Sequence, residues 1–371
     1  MAFSYNCKTR VYANEPLRPE GLDAPATSSP LLGQSGFLLD CPFFSFQIRY
    51  YHSQVVVEVG ASRRMSDKTR ESRDRSGKPS GRLTETSRFK LTYLPVPPEL
   101  AHHVTTFYHF VCEEHELRDI QPASIGHLAI APCGEGAIHF RDGRSDPLRE
   151  TNLLTPLSVA APFTVAGPFH AIGAALTPLG WAELTGLCAA TYANRFCAAG
   201  DMLGDDIAVL GAQLCAEYRA GTMNAAECAA ALGEYMRGRI SPLSAPHRQL
   251  IVQTTTWLVS ALDPDIEQLY ATLGYSRRQA QRLVERYFGL PPTALRRKYR
   301  GLRAASALSH PDLDAQTEAA IYDSFYDQPH MIREIRLFAG RTPARLSDEP
   351  DSFLTAMLDL RNLRELGPPK R

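Results

Sequence analysis

The sequence predicts an α+β chain in which a β-rich part with helices precedes an all-helical part. Between residues 89 and 240, short apolar runs alternate with Gly and Pro, as in antiparallel sheets. Between residues 247 and 345, apolar residues recur at spacings of three and four, the period of an amphipathic helix. Residues 1–88 are rich in Ser, Pro and charge, and we expect a largely disordered extension there. Residues 346–371 are expected to form a C-terminal tail.

Charge is balanced over the whole chain but not along it. The 371 residues, enough for two or three domains, contain 40 Lys and Arg against 40 Asp and Glu. From Arg277 to Arg303, however, nine basic residues stand against one acid, Glu285. Such a cluster is typical of phosphate contact, with a solvated helix face as the alternative for any basic run.

The cysteines and the apolar runs exclude several classes of protein. None of the eight Cys forms a Cys-x-x-Cys pair, which argues against a zinc ribbon or a thioredoxin-type site. We expect reduced thiols, as in a cytoplasm. No run of 18 apolar residues occurs, and the N-terminal residues lack the form of a signal peptide. A soluble, cytoplasmic protein without a membrane partner is expected.

The β-rich part is expected to begin near Phe89. Leu100–Val111 is consistent with a helix or with a helix followed by a strand, and Cys133–Gly136 and Asp142–Gly143 have the composition of hairpin turns. Other strands are expected at Phe44–Tyr51, Val55–Val59, His127–Ala131, Ala137–Phe140, Leu153–Val159 and His170–Ala175.

Helices are expected to follow these strands. Thr177 is a suitable N-cap, and Pro178 favours the first helical position of a helix to about Leu187. Two Ala-rich amphipathic helices should follow, and residues 238–247 should link them to the all-helical part. The expected helices are Asp205–Tyr218, Asn224–Arg237 and, opening the all-helical part, His247–Leu262.

The centre of the basic cluster has the pattern of a helix-turn-helix. A helix at Pro264–Ala271 and a turn at Thr272–Gly274 precede a second helix, for which Ser276 is the N-cap and Gln279 the expected capping-box partner. One face of that helix is apolar and the others are basic or amide-bearing. The apolar face consists of Ala280, Leu283, Val284 and Tyr287, and the outer faces carry Arg277, Arg278, Gln281, Arg282 and Arg286.

A second segment strengthens this interpretation. Ile321–Pro343, with the run Tyr-Asp-Gln-Pro-His-Met-Ile-Arg-Glu, is similar to the second helix-turn-helix of the AraC/XylS family of bacterial transcription regulators. The first segment also resembles that family. Gly289-Leu-Pro-Pro292 and Gly340-Arg-Thr-Pro343 match the paired Gly-x-x-Pro ends of its recognition helices and lie 51 residues apart. A helix at Pro292–Leu308 should join the two units.

The resemblance implies a function. A member of this family is a sequence-specific transcription regulator, whose two recognition helices enter adjacent major grooves about 34 Å apart. It also implies a cupin-like sensor over residues 89–240, controlled by a small-molecule effector, and a DNA-binding domain over 247–345. The expected partners are double-stranded DNA, a second copy in a homodimer, and RNA polymerase if the protein is an activator. DNA-bound protein would be associated with the bacterial nucleoid.

By position in the family motif, seven residues are expected to contact DNA. Arg can donate two hydrogen bonds to guanine or phosphate, and Gln can pair with adenine. For Arg282 an internal salt bridge is the alternative, and His330 could instead only fill the surface. The seven residues are Arg277, Arg278, Gln281, Arg282, Gln328, His330 and Arg333.

Other residues of the helix-turn-helix pattern carry separate expectations. Asp327 should cap the second recognition helix, and Lys298 should contact phosphate without sequence preference. Ser324 stands where the family has Gly, which suits a left-handed turn, and Val284 replaces a larger core residue. The Ser324 departure keeps open a regulator that has lost DNA binding and acts through another partner.

Chemistry in the β-rich part is the remaining question. Its seven His residues invite comparison with metal-binding cupins, but no His-x-His occurs, and we expect no metal, no cofactor and no enzymatic activity. The alternative is a metal-dependent cupin-type enzyme fused to a DNA-targeting domain. Cys133 could be a reactive thiol or, as we favour, a small apolar side chain.

Overall fold

The computed structural model describes residues 36–41, 44–51, 54–60, 83–85, 88–309, 313–348 and 352–358. A small antiparallel sheet comprises β1 (Gly36–Cys41), β2 (Phe44–Tyr51) and β3 (Gln54–Gly60). The strands predicted at Phe44–Tyr51 and Val55–Val59 are thereby confirmed. The predicted disorder of the rest of residues 1–88, apart from 83–85 and 88, lies outside the described residues.

The main sheet has nine strands, and every pairing in it is antiparallel. The order is β12-β10-β8-β11-β6-β5-β4, with β7 also on β11 and β9 also on β8. The long strand β11 changes neighbour, because its first part pairs with β7 and its last part with β6. The strands are β4 (Leu83–Glu85), β5 (Lys90–Leu94), β6 (Val104–Cys112), β7 (Glu116–Gln121), β8 (His127–His139), β9 (Ser145–Pro147), β10 (Thr151–Leu154), β11 (Ala161–Leu176) and β12 (Phe196–Ala198).

Two of the predicted connections have different outcomes. Asp142–Gly143 is a turn, in which the Gly143 N–H donates to the Phe140 carbonyl and Gly143 has φ of 87°. Cys133–Gly136 is not a turn, and that prediction is wrong, since the segment lies inside β8. A Cβ atom at Gly136 would lie 2.6 Å from the Thr164 carbonyl oxygen, so this glycine permits close strand contact. For residues 100–111 the structure is closer to the alternative of a helix followed by a strand, because a single 3₁₀ turn (Pro98–Leu100) precedes β6.

Five helices accompany the sheet in the described residues. The predicted N-cap at Thr177 is confirmed, because its hydroxyl accepts the Gly180 N–H at 2.8 Å. The helix ends at Thr185, two residues before the predicted end, since Gly186 takes a left-handed conformation with φ of 68°. Asn224 caps the fifth helix in a capping box with Glu227. The helices are α1 (Pro178–Thr185), α2 (Ala189–Tyr192), α3 (Ala199–Leu203), α4 (Asp205–Ala220) and α5 (Ala225–Arg239).

The helical part follows the predicted order. The joining helix has the predicted bounds, Pro292–Leu308, and a short last helix packs back on β7. None of the helices in the described ranges is long and apolar enough to span a membrane. The helices are α6 (Ala245–Val259), α7 (Ile266–Leu273), α8 (Arg277–Phe288), α9 (Pro292–Leu308), α10 (Ala315–Asp323), α11 (Gln328–Phe338), α12 (Pro343–Asp348) and α13 (Phe353–Leu358).

Two large apolar cores correspond to this division. One joins the sheet to α1, α3, α4 and α5 around the buried Trp181, and the other fills the helical part around Val284, Tyr299 and Phe338. The predicted α+β class, a β-rich part followed by a helical part, is confirmed. Separate sensor and DNA-binding domains within residues 89–345, with a boundary at residues 240–247, stay a prediction.

Candidate nucleic-acid interface and an apolar cavity

The first helix-turn-helix unit, α7 and α8, is present, but α7 begins and ends two residues later than predicted, at Ile266 and Leu273. Asp265 caps α7, Gly274 makes the turn with φ of 67°, and the Ser276 hydroxyl accepts the Gln279 N–H at 3.3 Å. Only the Ser276 half of the expected capping box is formed. Gly is suited to this turn because a Cβ atom disfavours positive φ.

The two faces of α8 differ in exposure and charge. The apolar stripe is buried at Ala280, Val284 and Tyr287. On the opposite side, the side chains predicted to contact DNA are all exposed to solvent. They are Arg277, Arg278, Gln281 and Arg282.

Arg277 is partly occupied within the first unit. Its guanidinium lies 5.2 Å from the centre of the Tyr270 ring and pairs with the Glu267 carboxylate. Both partners are on α7, so the contact orients α8 against α7. For an exposed pair this contributes little stability. Arg277 therefore lies at the edge of the exposed basic face.

The second unit, α10 and α11, has the predicted cap and core. The Asp327 carboxylate accepts the His330 N–H at 2.6 Å, which confirms Asp327 as the N-cap. Met331, Ile335 and Phe338 are buried. Gln328 and Arg333, both predicted to contact DNA, are exposed.

His330, the third residue predicted to contact DNA from α11, is half-buried. Its Nε2 atom lies 3.1 Å from the Glu334 carboxylate, and its ring meets Phe325 edge-on. The structure thus places His330 beside α11's own side chains, whereas Gln328 and Arg333 face solvent. Direct DNA contact by His330 stays a prediction.

Ser324 fits the turn of the second unit without strain. Its φ is −77° and its ψ is −9°, a right-handed conformation in which any L-residue is comfortable. The hydroxyl donates to the Ile321 carbonyl at 2.7 Å, and the Ser324 carbonyl accepts from Arg300 at 3.1 Å. The departure from the family's Gly therefore does not disturb this turn.

Glu334 is the centre of a buried ionic network. It is 1% exposed and accepts hydrogen bonds from Arg300 at 2.7 Å and from Arg297 at 2.5 Å. Arg300 also binds the Asp263 carboxylate at 3.0 Å, and Arg296 pairs with Asp263 at 3.2 Å. Three arginines of α9 thus pair with the buried Glu334 and the partly exposed Asp263, while the arginines of α8 face solvent.

Lys298 corrects an expectation drawn from the basic cluster. It was predicted to contact DNA phosphate, but only 2% of the residue is exposed. Its Nζ atom donates to the carbonyls of Ser124 at 3.0 Å and Leu157 at 2.9 Å, both in the β-rich part. Because a buried ammonium needs such acceptors, Lys298 joins the helical part to the β-rich part. The phosphate prediction is wrong for this residue.

Backbone contacts extend this junction. The Ala123 N–H donates to the Phe338 carbonyl at 2.8 Å, and the Ala160 N–H donates to the Leu337 carbonyl at 3.0 Å. The C-terminal end of α11 is thus hydrogen-bonded directly to loops of the β-rich part.

Asp119 adds a buried ion pair to the same junction. Its carboxylate binds Arg341 at 3.0 Å and also accepts the backbone N–H of Phe353 at 2.8 Å. Burial raises the pKa of Asp119, with Arg341 and neighbouring backbone N–H groups opposing that rise. Residues on both sides of α12 are therefore fixed to β7.

Glu183 makes a second ionic contact between the two parts. Its buried carboxylate accepts from His103 at 2.8 Å, from Arg248 at 3.0 Å and from the Leu243 N–H at 3.0 Å. His103 and Glu183 belong to the β-rich part, whereas Leu243 and Arg248 belong to the linker and α6. The first turns of α6 are thereby tied to α1.

A cavity of about 170 Å³ lies between the main sheet and α13. Its walls are mainly apolar, and Phe353 and Met357 of α13 form part of them. The Tyr108 and His127 side chains also line it, with their rings edge-on at 5.8 Å. A mainly apolar cavity with a few polar side chains is a candidate place for a small molecule.

Several of the other histidines make local hydrogen bonds, and the Cys133 thiol is not activated. His109 and His170 both hydrogen-bond the Tyr218 hydroxyl, at 3.0 and 2.7 Å. Burial raises the pKa of the Cys133 thiol, which reduces its thiolate fraction. Within the described ranges, no three His, Cys, Asp or Glu side chains are grouped so as to hold a metal ion.

Two exposed side chains in or next to α11 were not predicted as site residues. Tyr326 is 93% exposed and directly precedes the Asp327 cap. Arg336 is exposed in the last turn of α11. A sequence signal existed for Tyr326, because it lies in the turn just before a recognition helix. An aromatic residue with a hydroxyl at that position can stack or donate to a phosphate.

Comparison with known proteins agrees with the assignment of the two units. Residues 269–349 match the family described as a helix-turn-helix domain. No curated protein matches the chain. Among solved structures, ToxT from Vibrio cholerae O395 is similar over 65% of this chain and 95% of its own, with 10% identity and a TM-score of 0.36.

Two further solved structures have comparable likeness. Unsaturated fatty acid bound ToxT from Vibrio cholerae strain SCE256 covers 71% of this chain and 95% of its own, with 10% identity and a TM-score of 0.36. The AraC-like transcriptional activator CuxR covers 57% of this chain and 79% of its own, with 13% identity and a TM-score of 0.27. On the match over residues 269–349, the chain carries a helix-turn-helix domain in its C-terminal part.

Proposed function

We propose that this protein is a sequence-specific, DNA-binding transcription regulator whose activity is controlled by a small-molecule effector. The observation that carries the proposal is the separation of basic residues in the double helix-turn-helix. Arginines of α8 and α11 face solvent, whereas those of α9 pair with the Glu334 and Asp263 carboxylates or, for Arg303, with backbone carbonyls. A helix with an exposed Arg and Gln face beside a helix-turn-helix turn is suited to the major groove.

The exposed residues divide by the contact that each can make. Arg278, Gln281 and Arg282 lie on the solvent face of α8, where bidentate pairing with base edges is geometrically available. Gln328 and Arg333 take the equivalent role on α11. Arg277 and the exposed Arg286 supply phosphate contact at the edges, together with His330 if its ring leaves Glu334. Sequence specificity comes from the side chains that pair with base edges, and much of the affinity comes from the side chains that contact phosphate.

The spacing of the two units is fixed by α9. This helix is held along its length by Lys298 to the β-rich part, by Arg300 to Glu334, and by Arg303 to the Ala261 carbonyl at 2.7 Å. Two recognition helices must enter successive grooves about 34 Å apart on one face of the DNA. In this proposal a rigid α9 keeps the two recognition helices at a constant separation.

Effector control follows from the junction between the two parts. The cavity in the β-rich part is closed on one side by α13, which follows the helix-turn-helix domain in the chain. A molecule in the cavity therefore contacts both parts, and a differential affinity for two arrangements of α13 would shift their populations. In this proposal residues 89–240 are the sensor and residues 247–345 the DNA-binding domain.

The proposal includes the partners and location that this class of protein requires. Double-stranded DNA is the primary partner, a homodimer forms through the sensor, and RNA polymerase is contacted if the protein activates transcription. The protein acts in the cytoplasm, on the nucleoid, and carries out no catalysis.

In vitro selection of DNA by the full chain tests the proposal. Wild type is expected to enrich a site with two submotifs about one helical turn apart. Arg278→Ala is expected to blur one submotif and Gln328→Ala the other. Sequence-blind, salt-sensitive binding by wild type would contradict sequence-specific regulation.

A further inference from the structure

We propose that the cavity under α13 binds a neutral, mainly apolar molecule of one or two rings, with one polar group placed at Tyr108 and His127. The inference rests on the proposed effector control and specifies the chemical class of the effector.

The volume and the walls determine the apolar body of the ligand. A cavity of about 170 Å³ is close in size to an apolar protein cavity of about 150 Å³ that stays dry and binds benzene. None of the described residues that line it is Asp, Glu, Lys or Arg. An ionised ligand would lose its hydration here without gaining an opposite charge.

Tyr108 and His127 are the side chains that the polar group of the ligand would contact. Both side chains line the cavity, and neither has a hydrogen-bond partner among the described residues. Burial raises the pKa of Tyr108 and lowers the pKa of His127 to about 4. Both groups are therefore neutral near pH 7. They can donate to and accept from a ligand hydroxyl, carbonyl or ring N–H, but they offer no cation to a carboxylate.

Gly173 leaves space for the Tyr108 hydroxyl. A Cβ atom at Gly173 would lie 2.7 Å from the Tyr108 hydroxyl oxygen and 2.7 Å from the Ala129 Cβ atom. The phenol therefore occupies space that a larger residue in the middle of β11 would fill. Ala129 lies on β8 and lines the same cavity.

The wall opposite the sheet belongs to α13. The Phe353 ring meets Phe163 at 5.0 Å and Phe110 at 5.4 Å, both edge-on. Its backbone N–H is held by Asp119. A ligand in the cavity therefore packs against a side chain that is held next to the Arg341–Asp119 pair.

Calorimetric titration of the full chain tests the class of ligand. The neutral probes are indole, para-cresol and toluene, and the ionised probes are benzoate and decanoate. We expect indole and para-cresol to bind at least about tenfold more tightly than either carboxylate, because a charge is not compensated in this cavity. Equal or tighter binding of benzoate or decanoate would overturn the proposal.

Variants locate the binding. Tyr108→Phe should weaken para-cresol about threefold to tenfold, the usual effect of one hydrogen bond, and leave toluene unchanged. Ala129→Leu should abolish binding of all neutral probes by filling the cavity, whereas Ala230→Leu on the exposed side of α5 should not. Unchanged binding by Ala129→Leu would place the ligand elsewhere and contradict the proposal.

DNA binding measured on the same preparations separates this inference from the proposed function. If the full chain binds its selected DNA site but no neutral ring compound, only the ligand assignment fails. If neutral ring compounds bind as expected while DNA binding is sequence-blind, the cavity assignment holds and the regulatory function fails.

Discussion

The two helix-turn-helix units differ in how their recognition helices are held. In the first unit, α8 packs through an apolar stripe, and its arginines project into solvent. In the second unit, α11 contains Glu334, a buried acid that accepts hydrogen bonds from Arg297 and Arg300 of α9. The end of α11 is also hydrogen-bonded to the β-rich part at Ala123 and Ala160.

This difference separates two roles for the same residue type. Arginines on a helix whose partners are apolar remain available to DNA, whereas arginines facing a buried carboxylate are part of the core. The second unit is therefore anchored through buried ionic contacts and backbone hydrogen bonds, and it directly precedes the segment that covers the cavity. The first unit presents more exposed positive charge and should contribute more to electrostatic attraction.

The largest expected effect comes from Glu334→Gln. The substitution removes the buried carboxylate that Arg300 and Arg297 share and leaves Arg300 with the partly exposed Asp263 carboxylate. Breaking a buried ion pair costs up to about 3–5 kcal/mol in the free energy of unfolding. Denaturant unfolding measures this loss. Glu318→Gln, an exposed acid on α10, is the matched control and should change stability by under about 0.5 kcal/mol. Equal unfolding midpoints for the two variants would refute the anchoring role of Glu334.

Lys298→Met compares a buried cation with an exposed one. It should cost about 1–3 kcal/mol of stability, since the Ser124 and Leu157 carbonyls lose their donor. The salt dependence of DNA binding should not change. Arg286→Met should do the opposite, with unchanged stability and a salt slope reduced by about one unit. A reduced salt slope for Lys298→Met would show that its ammonium reaches phosphate after all.

Arg278→Ala tests whether the exposed face of the first unit contacts bases. Loss of a bidentate contact should relax discrimination at one base position by about 1–3 kcal/mol. Competition binding with single-base variants of the selected site measures it. Equal losses on specific and random DNA would remove Arg278 from the base-contacting residues.

Low pH should reduce the stability of the β-rich part, to which the second unit is hydrogen-bonded. Burial lowers the pKa of His127 to about 4, below the ordinary histidine value of 6.5. Between these values the unfolded chain binds a proton that the folded chain does not, so stability falls as pH decreases. From about pH 7.5 to pH 5 the contribution is on the order of 2 kcal/mol.

His127→Gln isolates this contribution, because Gln is polar but does not titrate. Its unfolding free energy should depend less on pH than that of wild type, with the two curves converging at low pH. His109, whose pKa burial also lowers to about 4, remains in both proteins and sets the common slope. Parallel curves for the two proteins would contradict the neutral, buried state of His127.

The smallest expected effect is that of Tyr326→Phe. The side chain is almost fully exposed, so stability should not change. If its hydroxyl donates to a phosphate, DNA affinity should fall by about 0.5–1.5 kcal/mol, equally on specific and random sequences. Unchanged affinity would exclude that contact. Tyr322→Phe, on the same exposed side, is the comparison variant.

Features that depend on local sequence were predicted well. The N-caps Thr177, Ser276 and Asp327 and the bounds of α9 follow from side-chain capping, from Pro and from helical periodicity. These signals act within a few residues. The α+β order follows in the same way, because periods of strand and helix differ.

Features that depend on distant partners were not predictable. Lys298 lies in a basic run, and only the Ser124 and Leu157 carbonyls, more than a hundred residues earlier in the chain, explain its burial. The segment Cys133–Gly136 has the composition of a turn, but Gly136 instead permits close contact between β8 and β11. The placement of α13 over the cavity, through Phe353, likewise depends on Asp119 in β7.

A double-mutant cycle between protein and DNA tests the central account most directly. Binding of wild type, Arg278→Ala and Arg333→Ala is measured on the selected site and on versions with either submotif scrambled. We predict that Arg278 couples to one submotif only and Arg333 to the other, with interaction energies of about 1–3 kcal/mol. Strictly additive effects, or coupling of both residues to the same submotif, would contradict two helix-turn-helix units that contact adjacent major grooves.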